Sequence, residues 1–231
     1  MARLFVLVEG ETEETFVNEV LVHHLFTRGF HSVSAKLMGN ARMRNRRGGI
    51  RAWPSVQQDI VRHLRHDREV YVTTMVDYYA LPQGEGDPLA WPGRSAAAAL
   101  PFEERAIHVE SSLMVAIQAE MGDSWNPNRF LPFVVMHEFE GLLFSDCEKF
   151  ATGIADPNLS GKFQQIRDAF SSPEEINDSP LTHPSKRVVE LIPGYQKPLH
   201  GNLAAIEIGL PPIREQCPHF RSWMERLEAI P

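Results

Sequence analysis

Three apolar, β-forming runs in this chain end in acid. Leu4 to Val8 runs into Glu9, "EVYVTTMVD" stops at Asp77, and "FLPFVVM" leads to Glu138 and Glu140. Continuous apolar runs, rather than alternating ones, are the mark of strands buried on both faces, as in a parallel sheet. Helical spacing fills the gaps between them. Thr12 is placed to cap a helix reaching about Leu25, with Phe16, Val17, Val20, Leu21 and Leu25 on its inner face. A second strand is expected near Val33 to Met38, and further helices over Trp53 to His66 and Phe102 to Met121. Strands alternating with helices predict an α/β fold with a mostly parallel sheet flanked by helices. In such sheets functional groups gather beyond the carboxyl ends of the strands, where these acids stand.

With 231 residues and 43% hydrophobic content, the chain is long enough for one sizeable core. The expected division is an α/β core over 1–150, with a Pro- and Gly-rich loop at about 78–101, and a helical part over 151–231 packed on it. Candidate helices in that second part are Gly161 to Phe170, Pro184 to Ile192, Leu203 to Ile208 and Pro218 to Leu227. A net charge of −7 argues against a nucleic-acid coat protein but leaves room for a local basic patch. Cys147 and Cys217 lie far apart in no metal-binding spacing, which suits a reducing cytoplasm. No apolar run approaches a membrane span, so no membrane partner is expected. The sequence is compatible with a monomer or an oligomer.

Acids at strand ends suit Mg²⁺ or Mn²⁺, hard cations that take carboxylate oxygens together with substrate phosphate and water. Glu9, Asp77 and one of Glu138 and Glu140 are the candidate ligands. Glu13, one helical turn beyond Glu9, can lean over the same place. Glu138 and Glu140 share a face only if their stretch is extended; if it is helical, one of them turns away. Asp146 is a reserve ligand. Each acid also has a plainer explanation. Glu13 and Glu14 in a first helical turn interact well with the helix dipole, and an Asp after a strand is a common turn residue.

The stretches "LFVLVEGETEETF" and "YVTTMVDYYALP" resemble the glutamate and aspartate motifs of the TOPRIM domain. Together with "MHEFEGLLFSD", "PSKR" and "PGYQKPLHGNLAAIEIGLPPIREQCPHFRSW", they are similar to a TOPRIM-like domain-of-unknown-function family, number 4276, related to the nuclease half of OLD-type proteins. The resemblance covers almost the whole chain. It implies a metal site with Glu9 as the first-motif glutamate, Asp77 as the first aspartate and Glu13 as the second glutamate. The second aspartate of the TOPRIM pattern falls at Tyr79, which is no ordinary Mg²⁺ ligand. Glu138, Glu140 or Asp146 would then stand in for it. The resemblance also implies an ATPase partner encoded nearby, in defence against phage or plasmids.

Arg42, Arg44, Arg46, Arg47 and Arg51 crowd a short loop beside Gly48 and Gly49. Guanidinium forks suit phosphate, so DNA or RNA is the expected partner, with Trp53 available to stack a base. A solvated loop, or one pairing with acids of a partner protein, is the plainer alternative. Lys186 and Arg187 fall in the first turn of a helix opened by Pro184, where cations oppose the dipole. A phosphate there would relieve the misfit. OLD-type nucleases have a late lysine near their metals, which makes Lys186 the first catalytic candidate and Lys197 the second; a surface salt bridge is the alternative for both. His137 reads as a core or supporting residue, since "HEFEG" lacks the second histidine of a metalloprotease motif. No phosphate-binding glycine loop is present.

The leading expectation is a metal-dependent nuclease of TOPRIM type with Glu9, Asp77 and Lys186 as catalytic residues. The competing reading is a non-catalytic TOPRIM-like module that binds nucleic acid or protein. A phosphatase-like enzyme acting on a small molecule would use the same metal logic.

Overall fold

The computed structural model describes residues 2–38, 49–176 and 182–231. Its first strand, β1 (Arg3–Val8), sorts the two faces of the sheet. Leu4, Val6 and Val8 point into one core and Leu7 into the other, and all four are buried. The chain then turns at Gly10 into α1 (Glu11–Phe16), which continues through a π turn (Val17–Leu21) into α2 (Val22–Thr27). Thr12 is not the cap. It lies inside the first turn, buried, while extended Gly10 holds the N-cap position and its carbonyl accepts from the Glu14 amide at 3.1 Å.

β2 (Ser32–Leu37) and β3 (Val70–Asp77) lie on either side of β1, both parallel to it. The third acid-tipped run is broken into β4 (Phe130–Leu131) and β5 (Val134–Val135), both parallel to β3. Pro132 explains the interruption, because it has no N–H for the ladder. Thr74 bridges the gap with its hydroxyl, which accepts from the Phe133 amide at 2.9 Å. The strand order is β2-β1-β3-β4, with β5 also on β3, so the five described strands form one parallel α/β sheet. Its β4/β5 edge is capped by side chains. Glu110 Oε1 accepts from the Val134 amide at 3.0 Å, and Arg226 donates to the Pro132 carbonyl at 3.4 Å.

One face of the sheet is covered by α3 (Trp53–His66) and α5 (Phe102–Met121), through Val56, Ile60, Leu64, Val109, Leu113 and Ile117. Trp53 is part of that core, buried against Trp91 at 5.3 Å between ring centroids, so it is not the base-stacking residue expected from the sequence. The expected loop at 78–101 is partly ordered by its own contacts. Tyr78 is buried under the Arg94 guanidinium, and a short helix, α4 (Arg94–Ala97), closes the segment.

The opposite face carries α1 and the helices of the second half. These are α6 (Glu140–Leu143), α7 (Cys147–Gly153), α8 (Ser160–Arg167), α9 (Pro184–Leu191), α10 (Asn202–Ile208), α11 (Leu210–Gln216) and α12 (Pro218–Glu228). Phe220, Trp223 and Leu227 of α12 join Leu4, Val6 and Phe16 in one apolar core, and Trp223 stacks on Phe133 at 4.2 Å. Both cysteines are buried and form no disulfide. No described helix is long and apolar enough to cross a membrane.

Candidate functional site

Parallel pairing of β1 with β3 brings their carboxyl ends side by side, with Val8 opposite Met75. Glu9 and Asp77 therefore emerge at the same edge of the sheet. α1 starts there too. Gly10 lets it start close: a Cβ on this residue would lie 3.0 Å from Glu13 Oε2, so the missing side chain leaves room for the Glu13 carboxylate to fold back. The fourth acid arrives after β5. His137 takes a left-handed backbone with φ 60, an uncommon conformation for a residue with a Cβ. The chain turns there, and Glu140 opens α6 with no solvent exposure.

The group closes on one cation. Lys197 Nζ lies 2.9 Å from Glu140 Oε2, 3.3 Å from Asp77 Oδ2 and 3.9 Å from Glu13 Oε1. Asp77 is held from its other oxygen, which accepts from the Phe139 amide at 2.9 Å. Lys197 begins a π turn (Lys197–Gly201) that packs on α1 and leads into α10. A Cβ on Gly201 would lie 3.1 Å from Tyr195 Oη and 3.6 Å from the Thr12 methyl, so this second glycine permits the close approach of turn and helix.

Too many carboxylates share too little water for all of them to ionise freely. Burial, reinforced by the Asp77 and Glu13 charges, pushes Glu9 up to about 8. Burial and the Asp77 charge push Glu13 up to about 7. Asp77 and Glu140 are raised as well, chiefly by burial, with Lys197 opposing the rise. Burial alone would lower Lys197. The Asp77, Glu140 and Glu13 charges outweigh it and hold the ammonium well above its ordinary value. Tyr195 Oη is buried beside this group with no hydrogen-bond partner, and burial raises its pKa so that it stays a neutral donor.

By donor chemistry the set fits a hard divalent cation. It is made of carboxylate oxygens, and Glu9 Oε2 is buried without a hydrogen-bond partner. By placement the carboxylates are gathered around Lys197. Among the described residues no three His, Cys, Asp or Glu side chains stand ready around one ion position.

Glu138 does not join the ion pairs of Lys197. Its Oε2 accepts from the Ser185 amide at 2.9 Å and lies 3.1 Å from His183 Nδ1, at the start of α9. Glu138 thus places a carboxylate of the chain itself at the amino end of α9. Lys186 pairs with Glu190 at 3.9 Å, one turn along its own helix, whereas Lys197, the second candidate, is the lysine that meets the strand-end acids. Asp146 caps α7, accepting from the Lys149 amide at 3.0 Å. His137 is buried against Tyr78 and Phe102, as a core histidine. Arg51 lends its carbonyl to the Trp91 indole at 2.8 Å. Arg42, Arg44, Arg46 and Arg47 lie outside the described residues. The described residues flanking them bond beside the site: the Met38 amide to the Val8 carbonyl at 3.0 Å and the Gly49 amide to the Glu9 carbonyl at 2.9 Å.

A family model, described as a domain of unknown function (DUF4276), matches residues 8–228. The chain belongs to the DUF4276 family. Glu9, Glu13, Asp77, Glu140 and Lys197 all fall within the span that matches DUF4276. No curated protein and no solved structure matches the chain.

The sequence offers little warning of Tyr195 or His183. Both stand in polar, proline-containing segments with no strand or helix period. The one available signal for Tyr195 is the glycine-flanked run "PGYQKPLHGN", where a tyrosine, a lysine and a helix start crowd together.

Proposed function

We propose that this protein is a divalent-metal-dependent hydrolase of phosphodiester bonds in nucleic acid. The observation that carries this reading is the convergence of Glu13, Asp77 and Glu140 on the Lys197 ammonium at the carboxyl ends of neighbouring central strands. A relationship to TOPRIM domains, resting on the motif resemblance at Glu9 and Asp77, belongs to the same reading.

In this reading Glu9, Glu13, Asp77 and Glu140 hold Mg²⁺ or Mn²⁺. The ion supplies Lewis-acid polarisation of the phosphoryl oxygen and a more acidic water. Lys197, already fixed among the carboxylates, offers its ammonium to a non-bridging phosphate oxygen as negative charge builds there. The attacking water would release its proton to solvent. The water oxygen bonds to phosphorus, the bond from phosphorus to the leaving sugar oxygen breaks, and that oxygen takes a proton from solvent. Incubation of the purified chain with labelled DNA and RNA in Mn²⁺ tests the reading. Cleavage that disappears in Asp77→Ala and Lys197→Met is expected; no metal-dependent cleavage of either polymer overturns it.

A second reading is favoured by the ion pairs themselves. Three carboxylates neutralised in part by an internal lysine also describe a structural charge network in a non-catalytic module. Calorimetric titration with Mn²⁺ separates the two. A module of this kind takes up no ion, whereas the hydrolase binds one and loses that binding in Asp77→Ala.

A further inference from the structure

Tyr78 and Tyr79 are neighbours with opposite fates. Tyr78 is buried beneath Arg94, which stacks over its ring and bonds its hydroxyl and carbonyl. Tyr79 is 37% exposed, a high value for a large aromatic side chain next to a buried site. Its backbone is pinned, with its amide donating to the His137 carbonyl at 3.0 Å. Its ring lies on the His183 imidazole, centroids 5.2 Å apart and planes 20° from parallel. That imidazole is itself immobilised, since Nδ1 sits 3.1 Å from Glu138 Oε2 and 3.0 Å from Ser185 Oγ. The result is a two-ring stack, preorganised from below and open to solvent. It stands two residues beyond Asp77, so its Cα lies within about 7.6 Å of the Asp77 Cα by chain geometry alone.

Among the described residues, the ring that Tyr79 stacks on is His183. A tyrosine that served only packing would be covered, and one that served only solubility would not be stacked on a braced partner. We infer that Tyr79, supported by His183, is a stacking platform for an unpaired nucleobase, and that the substrate enters as single-stranded nucleic acid. This inference rests on the phosphodiesterase reading above. Every base offers a π face to such a platform, so recognition is independent of sequence. A paired base cannot lie on it without leaving the duplex stack, so the platform selects single strands, loops and frayed ends. Because both rings are already held, little ordering cost accompanies the contact. Tyr79 follows the end of the strand that carries Asp77 by two residues, so the platform belongs to the segment that leaves the acid cluster.

The test uses the full chain and a fluorescent oligothymidylate, with Ca²⁺ in place of Mg²⁺ to keep cleavage low. Fluorescence anisotropy is measured for the parent, Tyr79→Ala and Tyr79→Phe, with thermal melting as a check that each folds. Tyr79→Ala is expected to weaken single-strand binding about tenfold to hundredfold. Tyr79→Phe keeps the ring and is expected to stay within about twofold of the parent. The slope of affinity against salt stays the same in both, because no phosphate contact is lost. A parent that does not bind the single strand, or a Tyr79→Ala variant that binds it equally well, overturns the inference. Cleavage by the parent is scored separately. Cleavage without dependence on Tyr79 sinks the platform and leaves the hydrolase standing; Tyr79-dependent binding without cleavage does the reverse.

Discussion

Lys197 Nζ sits 2.9 Å from Glu140 Oε2, and that carboxylate has no exposure to solvent. The pair joins the start of α6 to the turn before α10, so it ties together two parts of the chain distant in sequence. Removing one member leaves the other charge buried without compensation, which costs about 3–5 kcal/mol for a fully buried pair. Lys197 keeps 35% of its side-chain exposure, so the low end applies. Lys197→Met is expected to lower the unfolding free energy by about 3 kcal/mol in urea titration. Adding Glu140→Gln to that variant is expected to restore part of the loss. A Lys197→Met protein as stable as the parent would show that the network is not structural.

Stability should fall as pH rises. Glu9 and Glu13 have folded values of about 8 and about 7, above the 4.5 of an unperturbed glutamate. A raised carboxyl contributes stability fully below its unfolded value and loses it as pH climbs through its folded one. The window is therefore pH 4.5 to about 8. Lys197, raised further, stays charged throughout. In chelator the melting temperature is expected to decline across this range, and Glu13→Gln to flatten the decline. Mn²⁺ is expected to raise the melting temperature more at the upper end of the window than at the lower. A melting temperature that rises steadily across the window in chelator contradicts the assignment.

Glu138 and Asp77 should separate cleanly in calorimetry. Asp77→Ala is expected to abolish Mn²⁺ binding. Glu138→Ala is expected to retain it, while loosening α9 through loss of the bonds to the Ser185 amide and His183. Hydrogen exchange reads that loosening directly at the Ser185 amide, and a loss of about 1.5–3 kcal/mol is appropriate for hydrogen bonds to a charged group.

Gly10→Ala probes the approach of Glu13. The backbone there is extended, with φ −142, so alanine is not strained. The new methyl would meet Glu13 Oε2 at 3.0 Å and displace it. Mn²⁺ affinity should drop several-fold with little change in melting temperature. Equal affinity would mean that Glu13 is not a ligand.

Lys186→Ala serves as the contrast to Lys197. Among the described residues it pairs with Glu190, at an exposed position, so stability should move by less than about 0.5 kcal/mol. Cleavage should be unaffected, and loss of activity in this variant would reinstate Lys186.

Much of the architecture is legible in the sequence because burial leaves a period. α3 and α5 have the bounds expected from their apolar spacing, and β1 and β3 lie within a residue of the bounds expected from their unbroken apolar runs. Breaks that depend on one residue are harder to read. Pro132 divides the last strand, and the left-handed His137 decides that Glu140, not Glu138, meets Lys197. Which of Lys186 and Lys197 meets the acids is hidden for a different reason. Both stand in comparable local sequence, and only the packing of the Lys197 turn on α1 brings one of them to the acids.

The capped edge of the sheet bears on how this chain can assemble. Glu110 and Arg226 already occupy the outward amide of Val134 and the carbonyl of Pro132. An incoming strand would have to displace a carboxylate that also lies 2.8 Å from His219. Growth of the sheet by strand addition is closed on that side. Among the described strands, β2, at the other end of the strand order, is the border left for such pairing.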